Sequence, residues 1–566
     1  MTFIKSSLEK APPVLSLTVA LATVLTYGIY KTWLYPFVLD PLTHIPGPKP
    51  SKIWFLGNMV GLTKKKPMMA LYDWAMQYPG SIYRYYWFTR LTLLTSDPVT
   101  VGYVLGKAND NWLKSKGTED MFEQNLGSSL LSMKGAEHTS HRKYLAKGFK
   151  HTYLKSMTVA FQRVAQDLVD EWKKKAAIAG AEDSEPVGGV LPIQDEVKAT
   201  SSPGTAWELN GKLYKTVDLE PWFYSLTLDS IGEFALGQGF DAIKSPIGED
   251  FESYRIIVES FKVSLLTLLP FSNWIPTRTN RRAWTAVRHF NASMDEIVRT
   301  RKQALIKEIE DHNGEFSTDE GATSQKKDML TMLLVDQLVG EGVSDLQIRH
   351  DVFTAIFAGH ETTSASLSWT FYQLASNPDI QSRLREETRQ LFKDTNGSPL
   401  YDDLNSLPYL NAVVRESLRL WSPIPLNLRV SVEDDHLPRA YGQEPLFVPA
   451  GTNLQIPMFI LQRDPKIWGP DALEFNPDRW LSTDKPCPPY VPPNGLCYFP
   501  FYHGKRGCIG NKMATLEIKT HLANLVNQFE FVQTPELQAA KGEIAWQWSV
   551  SLKPVPGVHV GVRLAD

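Results

Sequence analysis

The chain has few cysteines, no surplus of charge of either sign and no internal repeat. Its 566 residues include only 3 cysteines, Cys487, Cys497 and Cys508, and none of these pairs has the Cys-x-x-Cys spacing of zinc or redox motifs. This scarcity argues against a disulfide framework and indicates that most of the protein lies in a reducing compartment. The 59 basic and 62 acidic residues nearly balance, so no global charge favours nucleic acid as a partner.

Long hydrophobic runs are also scarce. The clearest one lies at the N-terminus. The apolar run from Val14 to Tyr30 continues beyond Lys31 to Val38. A membrane-spanning helix needs about 20 mostly apolar residues, so the run predicts an anchor. A cleaved signal peptide is the alternative, although no small-residue cleavage site stands out. Prolines in the range 44–50 then forbid helix continuation. We predict a membrane anchor over 1–40, a proline-rich hinge over 41–50 and a folded domain over 51–566.

With 43% hydrophobic residues, that domain is large enough for one very large core or two ordinary ones. Most of it has a helical pattern. Residues 82–95 favour a β-hairpin, and residues 112–131 are irregular and predict a loop over a pocket. The polar stretches 177–212 and 311–327 are predicted to be surface insertions.

The most informative segment runs from Phe501 to Gly510 and presents Cys508 in a glycine-rich turn before a helix. Its glycines allow the backbone to approach a flat cofactor closely, and Arg506 can meet a carboxylate. Backbone N–H groups around the sulfur would stabilise a thiolate and tune a bound metal. The alternative is a structural cysteine in a glycine-rich loop.

A long helix capped by Ser344 and extending to about Ala375 is the next chemical feature. It is largely apolar, but Gly359, Glu361 and Thr362 interrupt the apolar surface near its centre. A buried polar cluster requires partners, and a glycine leaves room beside the backbone for a diatomic ligand. The alternative is a structural polar kink.

Two Glu-x-x-Arg matches place opposite charges on one helical face. Glu386 and Arg389 lie in a highly charged run, so we interpret them as an exposed ion pair. Glu416 and Arg419 are surrounded by apolar residues, which predicts burial, and Arg479 is available to satisfy the buried pair.

Together these motifs resemble those of the cytochrome P-450 superfamily, and the resemblance covers the chain from Pro46 to its end. Phe-x-x-Gly-x-Arg-x-Cys-x-Gly resembles the haem-binding signature, and Ala-Gly-x-Glu-Thr resembles the oxygen-activation motif. The resemblance implies a mainly α fold with a small β region, the cytochrome P-450 fold, here with an N-terminal transmembrane anchor helix. Residues 51–566 would be the haem-thiolate catalytic domain.

The resemblance also implies roles for individual residues. Cys508 would be the axial ligand of the iron in haem b, and Thr362 and Glu361 would be catalytic residues that guide protons during oxygen activation. The remaining residues would bind haem or stabilise the fold around it. Phe501 and Gly504 belong to the binding loop; Arg142, His138, Arg429 and Arg506 would meet the propionates; Glu416, Arg419 and Arg479 would form the structural triad.

Two positions depart from the family pattern. Many relatives have tryptophan where this chain has His138, and a helix-surface histidine is the alternative interpretation. His503 stands where a small residue is more usual.

The function implied is a haem-dependent monooxygenase that inserts one oxygen atom from O2 into a hydrophobic small molecule. Tailoring of a fungal secondary metabolite, a terpenoid or polyketide, is our first hypothesis, and hydroxylation of a fatty acid or alkane is the second. A haem protein that binds or senses ligands without turnover belongs to a different class, as does a peroxide isomerase. Apolar segments would select the substrate: 112–131, Phe353, Phe357, 424–427, Trp546 and Trp548. The run 263–275 would dip into the membrane surface.

Electrons would come from NADPH through a separate NADPH–cytochrome P-450 reductase, with cytochrome b5 as a further partner. A small basic patch of Lys143, Lys147, Lys505 and Lys512 is the expected docking surface. The resemblance to microsomal members implies a single-pass protein of the endoplasmic reticulum membrane with a cytosolic catalytic domain.

Overall fold

A computed structural model describes residues 13–78, 82–175, 203–245, 248–261, 275–311, 328–340, 342–482 and 487–566. Most of the two predicted insertions, and all but the last residue of the predicted membrane-dipping run, lie outside the described residues.

Helices dominate the described chain. In chain order they are α1 (Pro13–Ile29), α2 (Met59–Thr63), α3 (Met69–Gln77), α4 (Pro98–Leu105), α5 (Lys116–Leu126), α6 (Gly135–Leu145), α7 (His151–Lys175), α8 (Leu219–Leu236), α9 (Glu249–Ser260), α10 (Arg278–Asp311), α11 (Met329–Leu338), α12 (Asp345–Ser376), α13 (Pro378–Asp394), α14 (Tyr401–Ser406), α15 (Pro408–Leu420), α16 (Met458–Leu461), α17 (Pro465–Trp468), α18 (Asn511–Gln528) and α19 (Pro535–Ala539).

The strands are shorter and lie in small sheets. They are β1 (Ile82–Trp87), β2 (Arg90–Thr95), β3 (Trp112–Leu113), β4 (Ala206–Leu209), β5 (Lys212–Asp218), β6 (Asn427–Ser431), β7 (Asp435–Leu437), β8 (Leu446–Val448), β9 (Asn453–Ile456), β10 (Phe529–Gln533), β11 (Ala545–Trp548), β12 (Leu552–Val555) and β13 (His559–Leu564). The mainly α content with a small β portion agrees with the predicted fold class.

The chain forms two compact units, and the first contains residues 1–114, 426–461 and 491–497. Its main sheet has the strand order β1-β2-β9-β6-β3, with a separate β7–β8 pair. The predicted hairpin at 82–95 is present as β1 and β2, paired antiparallel from Ile82 opposite Thr95 to Trp87 opposite Arg90. The proline-rich segment lies against this hairpin, because the Arg84 amide donates to the Pro46 carbonyl over 3.0 Å.

The second unit contains residues 115–425, 462–490 and 498–566. Its long helix α12 packs along α8, and α7 packs against α18. Ser344 caps α12 as predicted, since its hydroxyl oxygen accepts from the Gln347 amide at 3.2 Å. A four-stranded sheet with the order β10-β13-β5-β4 and the β11–β12 hairpin complete the unit.

Two local predictions were wrong. Residues 116–126, predicted as part of a loop, form helix α5, because Ser115 caps its first turn and Gly127 ends it with φ 78°. The predicted insertion at 177–212 ends in strand β4, which pairs with β5 across an Asn210-Gly211 turn. Both turn residues have positive φ, which is the backbone conformation that a tight hairpin of this type requires.

The predicted transmembrane anchor is not confirmed. Helix α1 covers 17 residues and continues into a wider helical segment over Tyr30–Leu39. Across the described part of the chain, every helix is too short or too polar to cross a bilayer.

Candidate haem-binding site

The Cys508 loop is a tight turn fixed by backbone hydrogen bonds. The Cys508 amide donates to the Phe501 carbonyl at 2.8 Å, and the Gly507 amide donates to the Gly504 carbonyl at 3.0 Å. Gly504 has φ 69°, a left-handed conformation that costs glycine nothing. Helix α18 begins directly after Gly510, so the loop holds Cys508 at the helix entrance.

Cys508 is exposed by accessible area, although neighbouring atoms keep water away from much of its sulfur. This desolvation raises the pKa of the thiol, while the Gly510 amide and the positive charge of Arg142 act in the opposite direction. The loop therefore already contains a donor and a cation that favour a thiolate, and a metal ion bound to the sulfur would add a much stronger positive charge.

Arg142 and His138 both lie on α6, one turn apart. Burial lowers the pKa of Arg142, and the nearby Cys508 partly compensates for this effect. His138 is 4% exposed, so the alternative of a helix-surface histidine is wrong. Arg506 also reaches this region, because its Nη1 donates to the Met133 carbonyl at 3.0 Å just before α6 begins. The structure thus gathers Cys508, Arg506, Arg142 and His138 in one part of the second unit.

Arg429, the remaining predicted propionate partner, lies on β6 of the first unit. It is 3% exposed, and its Nη1 donates to the Leu428 carbonyl at 3.2 Å.

The centre of α12 carries the predicted oxygen-activation motif. The Thr362 hydroxyl donates to the Ala358 carbonyl at 2.8 Å, and Thr362 remains partly exposed between buried neighbours. The space beside Gly359 does not serve as predicted. A Cβ atom on Gly359 would lie 2.6 Å from Ile231 Cδ1 on α8, so this glycine permits close helix packing and leaves no room for a ligand at that position.

The Glu361 side chain is 1% exposed and takes part in a buried charged network. Its Oε1 lies 2.9 Å from Lys553 Nζ and accepts a 2.9 Å hydrogen bond from the Ser551 hydroxyl. Burial by itself raises the pKa of Glu361, but the charge of Lys553 and the hydrogen bonds bring it below its usual value. Sequence reasoning missed Lys553 and Ser551, which lie far from Glu361 in the chain and in no recognised motif.

The second Glu-x-x-Arg match is fully buried. Two guanidinium nitrogens of Arg419 each lie 2.8 Å from one Glu416 oxygen, and Arg479 Nε donates to Glu416 Oε1 at 2.9 Å. Trp480 Nε1 supplies a further donor to Glu416 at 2.9 Å. Arg419 also donates to the carbonyls of Gln462 and Ala472. The structure therefore brings the three predicted residues together and satisfies their charges. Sequence reasoning missed Trp480.

Two predicted substrate-contacting residues lie in the core. Phe353 and Phe357 are each 2% exposed and pack against Phe290 and Phe261, with ring centroids 4.8 and 4.6 Å apart. Both side chains pack α12 against its neighbours. Apolar periodicity in the sequence cannot distinguish a residue that packs in the core from one that lines a pocket. Trp548 is 37% exposed, so it remains available for contact with a ligand.

The residues present fit a haem held through a cysteine thiolate. The Cys508 sulfur sits in a glycine loop with a donor from the Gly510 amide, and the Arg142 cation lies nearby. A long helix with a polar interruption belongs to the same unit. This combination defines the class of haem-thiolate proteins.

Comparison with known proteins defines the family. The sequence model of the cytochrome P450 family matches residues 46–190 and 198–559, and the chain belongs to this family. Membership implies a haem-iron cofactor. The crystal structure of the cytochrome P450DA heme domain superimposes with a TM-score of 0.71 at 21% identity, covering 92% of this chain and 98% of that one. This likeness confirms the predicted cytochrome P-450 fold.

Curated relatives include fungal proteins of similar length. Cytochrome P450 monooxygenase FUM15 of Gibberella moniliformis is 27% identical, covering 95% of this chain and 91% of its own length. Cytochrome P450 monooxygenase sphH of Aspergillus fumigatus is 28% identical, covering 94% and 90% respectively. Cytochrome P450 52-N1 of Starmerella bombicola is 28% identical, covering 89% and 91%. The predicted enzyme class, a cytochrome P-450 monooxygenase, is confirmed.

Proposed function

We propose that this enzyme inserts one atom of dioxygen into a hydrophobic small molecule, with Cys508 as the axial ligand of haem iron. The observation that carries the proposal is Cys508 in its glycine loop, where the Phe501 carbonyl accepts from the Cys508 amide and the Gly510 amide donates to the sulfur. Haem bound there supplies oxygen activation and atom transfer, with the thiolate as electron donor to the iron. The loop contributes a fixed sulfur position and a backbone that admits a flat cofactor.

Residues on α6 and in the cysteine loop would hold the cofactor. Arg142 and Arg506 are cations that can pair with the propionates, and buried His138 can add a hydrogen bond. Arg429, the fourth propionate partner that the resemblance implies, belongs to the first unit and stays a prediction. Glu416, Arg419 and Arg479 act on folding and cofactor retention, because they form a closed network of buried charges without a free group for chemistry.

Thr362 and Glu361 would handle protons. The partly exposed Thr362 hydroxyl can donate and accept hydrogen bonds, while the buried Glu361 carboxylate can take up and release a proton. Their adjacent positions on α12 place an alcohol and an acid at the same polar interruption of the helix.

Electrons would come from NADPH through a separate reductase, with cytochrome b5 as a second donor. Lys143, Lys505 and Lys512 are exposed in the unit that carries Cys508, which supports a basic docking surface. Lys147, the fourth predicted member, forms an ion pair with Asp336 at 2.9 Å and contributes less free charge.

For the substrate we propose a terpenoid or polyketide secondary metabolite, with hydroxylation or epoxidation as the reaction. The support is the number of fungal monooxygenases among the relatives. A fatty acid or alkane is the second candidate, favoured only by the general apolar character of the predicted substrate segments. We further propose attachment to the endoplasmic reticulum membrane, supported by exposed apolar side chains on α1, including Val24 and Leu25.

The testing experiment reconstitutes the full chain with a fungal NADPH–cytochrome P-450 reductase and screens terpenoids, polyketides and fatty acids. Product carrying one 18O atom from labelled dioxygen, formed in proportion to NADPH consumed, supports the monooxygenase. Ligand-induced spectral shifts without NADPH consumption would favour a binding or sensing protein. Product formed from peroxides without reductase would favour an isomerase.

A further inference from the structure

Lys553 on β12 is a largely buried lysine between two carboxylates. Its Nζ lies 2.9 Å from Glu361 Oε1 on α12 and 3.7 Å from Glu220 Oε1 at the start of α8. The Lys553 side chain is 16% exposed and its Nζ lies 5.9 Å from the Tyr224 ring centroid. An ammonium group so enclosed is stable only with anionic partners, and here two acids share one cation.

One carboxylate oxygen of Glu361 has protein partners, and the other has none among the described residues. Oε1 receives both Lys553 and the Ser551 hydroxyl, whereas Oε2 is buried without a hydrogen-bond partner among the described residues. A buried carboxylate oxygen without a protein partner is a site where an ordered water can bind. The same carboxylate thus has one anchored oxygen and one that can exchange a proton with water.

Among the described residues, five ionisable groups interact electrostatically with this carboxylate. Lys553 approaches from β12, Glu220 and Tyr224 belong to α8, Tyr254 belongs to α9, and His360 precedes Glu361 on α12. Burial lowers the pKa of His360 to about 3, so this ring is neutral and leaves Lys553 as the cation of the group. Burial raises the pKa of Glu220, and Lys553 offsets this only in part.

The β11–β12 hairpin holds these donors in place. The Leu552 amide donates to the Pro423 carbonyl at 2.8 Å, and Trp369 Nε1 on α12 donates to the Leu552 carbonyl at 2.8 Å. Leu552 begins β12 and lies between Ser551 and Lys553, so these two bonds fix the part of the hairpin that carries both donors to Glu361. The contact is therefore built into the fold.

We propose that Lys553 is a positioning residue for Glu361 and that Glu220 is the alternative partner that allows Lys553 to release it. When a hydronium ion from bulk solvent delivers a proton to Oε2 of Glu361, an O–H bond forms there, an O–H bond of the hydronium breaks to leave water, and the carboxyl becomes neutral. The ammonium group then pairs with Glu220. When Glu361 gives up that proton, Lys553 returns to it. This inference rests on the proposed function, because it assigns the control of proton supply to the same site.

The test compares Lys553→Met, Lys553→Arg and Glu220→Gln with wild type in the full-length enzyme. Lys302→Met is the matched control, since Lys302 on α10 pairs at 2.8 Å with Asp345, the first residue of α12 and 16 residues before Glu361. Infrared difference spectra, with Glu361→Gln in each background, report whether Glu361 is protonated. Because this readout does not need haem or substrate, it remains informative even if the proposed function fails.

In Lys553→Met we expect a protonated-carboxyl band at neutral pH that disappears with Glu361→Gln. With substrate, the yield of product per NADPH should fall at least about tenfold, a small part of the ~10²–10⁴ that general acid–base catalysis can contribute. Hydrogen peroxide should rise correspondingly, and the solvent isotope effect should change. Lys553→Arg should restore an ionised Glu361 and most of the yield. Glu220→Gln should keep Glu361 ionised while slowing the proton-dependent step.

An ionised Glu361 in Lys553→Met, with wild-type pH dependence and product yield, would overturn the proposal. The same losses in Lys302→Met would also overturn it, because the effect would then be general. If Lys553→Met does not fold, Lys553→Arg and Glu220→Gln decide the question. Wild-type kinetics in Glu220→Gln would refute the proposal that Lys553 moves to Glu220 when it releases Glu361.

Discussion

Arg419 donates two hydrogen bonds of 2.8 Å to the Glu416 carboxylate, and both side chains are completely buried. Removing one partner of such a pair leaves an uncompensated buried charge, which costs about 3–5 kcal/mol. The Asn476 amide, Arg479 and Trp480 also donate to Glu416, so its loss would leave donors of four residues without their acceptor.

We therefore expect Glu416→Gln to lower the free energy of unfolding by about 3–5 kcal/mol and to reduce haem retention. Denaturant unfolding with parallel haem absorbance measures both. Glu386→Gln is the matched control, because exposed Glu386 belongs to the neighbouring Glu-x-x-Arg match and should change stability by less than about 0.5 kcal/mol. Equal effects of the two substitutions would refute the assignment of the buried pair.

Gly359→Ala should destabilise the enzyme by about 1–3 kcal/mol, because the added methyl group would lie 2.6 Å from Ile231 Cδ1. Adding Ile231→Val should recover part of the loss if that contact is the cause. Gly117→Ala provides the control, since a Cβ there meets nothing within 4 Å. Thermal unfolding of wild type and the three variants checks this account, which fails if the double substitution is no more stable than Gly359→Ala.

His559 should stabilise the fold more at acidic pH than at alkaline pH. Its ion-pair contact with Asp218, with Nε2 3.6 Å from Oδ2, raises the pKa of the imidazole. The stabilisation is fully present below the unfolded value of about 6.5 and is lost as pH rises through the folded pKa. The stability difference between wild type and His559→Gln should therefore be larger at about pH 6 than at about pH 9. Exposed His436→Gln is the control, and a difference that grows with pH would reverse the predicted sign.

Reversing charge at Lys143 and Lys505 should slow electron transfer from the reductase by about tenfold at low salt, with less effect at high salt. Both lysines are exposed in the unit that carries Cys508. Stopped-flow reduction under carbon monoxide measures the rate, and the haem spectrum should remain that of wild type. Lys393→Glu with Lys541→Glu carries the same charge change on other exposed positions. An unchanged rate of electron transfer in the Lys143 and Lys505 variant, or equal slowing in the Lys393 and Lys541 variant, would refute the proposed docking surface.

The motifs that sequence analysis recovered are local in the chain. The Cys508 loop, the polar centre of α12 and the Glu416–Arg419 pair each depend on a few residues at fixed spacing, and helix geometry places them together. Arg479 was found because a buried ion pair needs further donors. The fold class followed from the same motifs through family resemblance.

The missed features depend on neighbours distant in the chain or on turn chemistry. No spacing rule connects Lys553 to Glu361, since the hairpin that joins them is positioned by Pro423 and Trp369. The role of Gly359 depends on Ile231 of another helix. Two errors were avoidable: the Ser115 cap predicts helix α5, and Asn210-Gly211 between alternating apolar residues predicts the β4–β5 hairpin.

The most direct test of the central claim is the carbon monoxide difference spectrum of the reduced enzyme, compared between wild type and Cys508→Ser. We expect wild type to show the strongly red-shifted Soret band of a thiolate-ligated haem, and Cys508→Ser to lose it. A wild type that binds no haem, or a shifted band that survives in Cys508→Ser, would contradict the assignment of Cys508 as the iron ligand.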